Sequence, residues 1–202
     1  MNDIEPIAGR PIQGREEKPT PNHRELARGI LLFKASKGGS LIQQDGQGSY
    51  VDSYDETDIS MYLNEDQRKI LINLLQMDFV FGAKNNQTEL TIAMSNRCAK
   101  KIAHYSKRNN RRIAVYSKEL MTIAKFVKAI PYTKTKRFDV GKVLLFSSRI
   151  RIGAEMFSVQ LNVFDSKASG YLLYDINKIS QAGDTSLGSR ADSGIDSIVE
   201  EG

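Results

Sequence analysis

The chain has 202 residues, 40% of them hydrophobic, with one cysteine, two histidines and a formal charge of +5. That is room for one folded domain with tails, and it excludes an intramolecular disulfide or a Cys/His set spaced like a structural zinc site. No apolar run approaches the ~20 residues of a membrane-crossing helix, and the opening MNDIEPIAGRPIQ lacks a basic end followed by an apolar core. A reducing, cytoplasmic location is expected, with non-classical delivery into another cell left open.

The charge is unevenly placed. From Arg97 to Arg151 sixteen Lys/Arg stand against two acids, Glu119 and Asp139, whereas the rest of the chain has thirteen against twenty-two. Cations gathered in one region attract phosphates at long range and release counterions on contact, so nucleic acid is the expected partner.

In chain order, residues 1–57 carry Pro6, Pro11, Pro19, Pro21 and the glycine-rich SKGGSLIQQDGQGS with little apolar periodicity, which predicts a flexible N-terminal arm. Residues 58–180 read as the folded domain. Asn64 and Gln67 resemble a capping box ahead of Ile70, Leu71, Leu74 and Leu75, predicting a helix over roughly Asn64 to Gln76. Glu89 to Met94 alternates like a strand, and Ser95 can cap a second helix. After Ser117, the residues Leu120, Ile123, Ala124, Val127 and Ile130 keep helical spacing until Pro131, a third helix. Period two then governs Val140 to Ile152, Phe157 to Val163 and Gly170 to Ile176, an antiparallel meander. Helices first and sheet last is an α+β order. Residues 181–202, dense in Ser, Gly and Asp with no aromatic, predict a disordered acidic tail.

Arg97, Lys100, Lys101, His104 and Arg108 share one helical face by spacing, which sets a histidine among cations. The plain alternative is a solvated helix face. Arg149 and Arg151 lie two apart in a strand and point to one sheet face, in line with Ser147. Two guanidinium forks suit phosphate, while charges guarding a sheet edge would read the same way. Tyr171 and Tyr174 fall on opposite faces, so at most one lines that site. Tyr132 beside Lys134 and Lys136, with Arg111 and Arg112 upstream, has the composition of a single-strand contact. Phosphate-loop, dinucleotide, zinc-protease and serine-hydrolase motifs are absent from the sequence. Two acids in the basic half argue against a carboxylate-held Mg²⁺, with Asp165 and Asp175 as remote candidates, so no metal and no cofactor is expected. What the residues fit is metal-independent cleavage of RNA, in which a base takes the ribose 2′-hydroxyl proton and cations steady the phosphorane.

The segments ELTIAMSNRCAKKIAHYSKR, SKELMTIAKFVKAI and KVLLFSSRIRIGAEMFSVQLNVFDSKASGYLLYDINKI resemble the large polyvalent protein-associated domains of phages and mobile elements. These are similar to the barnase, EndoU, colicin and RelE superfold of RNase toxins, and the resemblance covers about Glu89 to Ile179. It implies N-terminal helices packed on a four-stranded antiparallel sheet, a toxin- or effector-type ribonuclease and a cognate immunity protein as partner. It puts Lys101 and His104 on the helix, Arg149 or Arg151 on the sheet and Tyr174 on the last strand. The expected roles are His104 as general base, Lys101 and Arg151 on the phosphorane, and Tyr174 or Lys100 as proton donor. The alternative is a non-catalytic effector module that binds nucleic acid or protein through the same surface.

Overall fold

A computed structural model describes residues 22–53, 67–105, 112–133 and 139–181. The first helix, α1 (His23–Lys37), begins where Asn22 Oδ1 accepts from the backbone N–H groups of Arg24 and Glu25, both at 3.0 Å. Glu25 accepts the Asn22 N–H in return at 3.2 Å, so three otherwise orphaned N–H groups are satisfied. Gly38, at φ 52, ends the helix where an L side chain would be strained. A 3-10 turn (Gly38–Leu41) leads into the hairpin β1 (Ile42–Asp45) and β2 (Gly48–Ser53). Residues 22–53 were expected to belong to a flexible arm. Instead they place Ala27, Ile30, Leu41 and Val51 in the main core.

Next come α2 (Gln67–Asp78), the short strands β3 (Ala83–Lys84) and β4 (Thr91–Ala93), α3 (Asn96–Tyr105) and α4 (Ser117–Ile123). Asn64, the expected cap of α2, lies outside the described residues. The chain closes with β5 (Lys125–Pro131), β6 (Val140–Ile152), β7 (Glu155–Ser166) and β8 (Gly170–Gln181). Thus the third helix predicted to run to Ile130 stops at Ile123. Ala124 turns extended at ψ 141, and the β-branched and aromatic residues that follow pair with β6.

The expectation of a four-stranded antiparallel sheet is corrected. The chain is α+β, but its strands make one eight-stranded mixed sheet in the order β1-β2-β6-β7-β8-β4-β3, with β5 also on β6. β2 runs parallel to β6 and β4 parallel to β8, while the other pairs are antiparallel. The thirteen residues of β6 make this possible. Its outer edge takes β5 alongside Lys142 to Ser147 and β2 alongside Ile150 to Ile152.

Two apolar clusters hold the sheet. The larger joins Leu144, Phe146 and Ile150 of β6 and Phe157, Val159, Leu161 and Val163 of β7 to buried residues of α1, α2, α3 and α4. The smaller contains Cys98, Val143, Leu145, Phe164 and Tyr174, on the opposite side of those strands by alternation. A lysine lies inside the helical layer. Lys34, 4% exposed, donates to Asp78 Oδ2 at 2.5 Å and to the Val115 carbonyl at 3.0 Å, and lies 2.9 Å from Glu119 Oε2. One ammonium thereby ties α1 to the end of α2 and to α4.

Candidate functional site

Ser95 accepts the Cys98 N–H at 3.1 Å and starts α3. Cys98, Ala99, Ile102 and Ala103 are buried, which turns Arg97, Lys100 and His104 to solvent. Lys101 departs from the expected stripe. Its ammonium sits 4.2 Å from the Tyr174 ring centroid and 3.4 Å from Asp175 Oδ2, with both charged side chains 15% exposed. A long stem lying along the sheet while its charge finds an aromatic face and a carboxylate accounts for that placement. Tyr174 stacks on Phe164 with ring centroids 3.7 Å apart, and is itself 3% exposed. Its phenol belongs to the second cluster, which withholds it from a solvent-borne substrate.

The two arginines come together, but with carboxylates. Arg149 reaches Asp45 Oδ2 at 2.6 Å, Gln47 Oε1 at 2.7 Å and the Gly48 carbonyl at 3.3 Å. Arg151 donates to both oxygens of Asp52, its Nε at 3.0 Å. Tyr50 lies beneath the pair, its centroid 5.6 and 5.3 Å from the two guanidinium carbons. The hydrogen bond from Arg149 holds the Asp45 carboxyl below its ordinary value, and the bond to Asp52 holds Arg151 above its own. Forks that match phosphate match carboxylate equally well, and these act as rivets fixing the β1–β2 hairpin to β6.

Four of the five proposed catalytic residues therefore form two groups, while His104 faces solvent on α3. Lys101 meets Tyr174, and Arg149 meets Arg151. Asp175 pairs with Asn162 on β7, whereas Arg149 pairs with Ser158, four residues along and on the far side of that strand. Strand rise sets the two groups about 14 Å apart along the sheet, besides two strands across it. Of the expected nucleic-acid contacts, Arg112 is half-buried, and Tyr132 packs edge-on against Phe164 with centroids 5.4 Å apart. Arg108, Arg111, Lys134 and Lys136 lie outside the described residues.

The sequence reading missed β5. Six of its seven positions are exposed, including Phe126 at 40% and Val127 at 52%. A bulge between Phe126 and Lys128 sets Lys125 opposite Ser147 and Lys128 opposite Leu145, two residues apart on β6. Residues three apart on a regular strand face opposite ways, so it is the extra residue that brings both lysines to one face. Phe126 turns to the other side and meets Phe146 edge-on at 5.6 Å, while its N–H donates to Gln87 Oε1 at 2.6 Å. The signal was KFVK itself: an aromatic and a β-branched residue between lysines.

Among the described residues, no cluster of His, Cys, Asp or Glu could hold a metal ion, and no helix is long and apolar enough to cross a membrane. No family model matches the chain, and no curated protein or solved structure matches it either.

Proposed function

We propose that the chain is a non-catalytic module that binds single-stranded nucleic acid along the β5 edge. The observation that carries this reading is the bulged, exposed strand, which offers Lys125 and Lys128 on one face and Phe126, 40% exposed, on the other. Cations that track a backbone, with an aromatic ring on which a base can stack, are what sequence-tolerant single-strand binding needs. The inward cations of the basic stretch are matched: Lys101 by Asp175, Arg149 by Asp45 and Arg151 by Asp52. Those on the surface of α3, Arg97 and Lys100, add to the field. Binding is favoured over turnover because the arginines are held by Asp45 and Asp52, away from Tyr174, whose phenol is buried.

Fluorescence anisotropy of a labelled single-stranded RNA over a salt series tests it. Affinity should fall linearly in log–log form, and Lys125→Glu with Lys128→Glu should weaken binding and flatten the slope by about 1.4, the loss of two single-strand phosphate contacts. His104→Ala should bind as wild type, with the RNA intact in both. Binding indifferent to salt and to the double variant would overturn the proposal, as would cleavage abolished by His104→Ala, which would restore the ribonuclease reading.

A further inference from the structure

Where β5 begins, Ser49, Asn86, Gln87, Ile123, Ala124 and Lys125 line a hollow of about 290 Å³. That is just under the roughly 300–1,000 Å³ of sites that take drug-sized molecules, a fit for one ring system rather than a larger ligand. Its lining is apolar at Ile123 and Ala124, amide or hydroxyl at Asn86, Gln87 and Ser49, and cationic only at Lys125.

The rim is built before any ligand arrives. Asn85, fully buried, donates from its amide to the carbonyls of Met121 and Ala124, both at 2.8 Å. Its Oδ1 accepts the N–H groups of Gln87 and Thr88 and the Thr88 hydroxyl, so every polar atom of the side chain is engaged. The Asn86 N–H donates to the Thr122 carbonyl at 2.9 Å. Gln87 gives its carbonyl oxygen to Phe126 and keeps its NH₂ as a donor. On the far side Gly48, at φ 112, leaves room for the Lys125 ammonium, which lies 3.4 Å from where a Cβ would stand.

Resting on the binding reading above, we infer that this hollow receives one nucleobase of the strand held along β5, with Lys125 on the adjoining phosphate. Amides present a donor and an acceptor together, the pairing that reads a base edge, and the apolar lining at Ile123 and Ala124 suits a ring face. A preformed rim lowers the ordering cost of binding.

Anisotropy titrations with the four single-stranded homopolymeric oligodeoxynucleotides test the site. Wild type should prefer one base by about tenfold or more, the discrimination a well-placed amide gives. Asn86→Ala, which keeps the backbone bond to Thr122, should erase the preference and leave the salt slope unchanged. Asn86→Asp, which exchanges the amide donor for an acceptor in the same shape, should change the order of preference. Lys125→Ala should weaken all four alike and lower the slope. Equal affinity of wild type for all four, or a preference surviving in Asn86→Ala, overturns the hollow as a base site and leaves binding along β5 standing. No binding of any homopolymer overturns both.

Discussion

Replacing Lys34 by alanine is expected to destabilise the fold by about 3–5 kcal/mol, the range for removing one partner of a buried ion pair. The lysine is 4% exposed, and its ammonium is the counter-ion of both Asp78 and Glu119. Without it two carboxylates are left facing each other in a layer built from α1, α2 and α4, and the Val115 carbonyl loses its donor. Lys118 cannot replace it: its ammonium is 3.8 Å from Asp78 and its side chain is 39% exposed. Lys34→Met, which keeps the stem and deletes the charge, should lose nearly as much. Urea unfolding midpoints measure the effect. A change under about 1 kcal/mol, typical of an exposed pair, would contradict this assignment.

The second large effect concerns the same cluster and has a defined sign with pH. Burial raises the pKa of Glu119 above its ordinary 4.5, with the Lys34 charge opposing that rise and the Asp78 charge adding to it. The folded chain therefore keeps this proton to a higher pH than the unfolded chain does. The resulting stabilisation is complete below 4.5 and is lost as pH rises through the folded pKa. Within that window the slope for one proton cannot exceed about 1.4 kcal/mol per pH unit. Glu119→Gln removes the titration while Lys34 keeps Asp78, so the variant should gain on wild type progressively as pH rises. Stability curves measured from just below 4.5 upward should diverge; parallel curves would contradict the cluster's proposed energetics.

What was legible in the sequence was local. The stripe of α2, the alternation around β4, the Ser95 cap and the β6–β7–β8 meander all depend on neighbours within a few residues, and each stands in the structure. What was hidden depends on distant pairing. Val51 pairs with Ile150 in a parallel ladder, a contact with no local signature, and it draws into the core a segment whose glycines read as an arm. Leu120, Ile123, Ala124, Val127 and Ile130 do keep helical spacing, but β6 offers a ladder of backbone bonds, and the bulge at Val127 disguises the strand's alternation. The site follows the same division. Arg149 and Arg151 were placed on one face by their spacing, whereas Asp45 and Asp52, which neutralise them, lie about a hundred residues away. A cation's availability depends on such partners, and charge counted along a sequence does not contain them.

The claim that the β5 edge is the binding surface is tested most directly by ultraviolet cross-linking of a bound single-stranded oligonucleotide, followed by mass mapping of the adducts. The expected result is an adduct at Phe126, lost in Phe126→Leu and competed away by salt in parallel with binding. Adducts confined to α1 or α2, with Phe126 unmodified at saturating oligonucleotide, would contradict it.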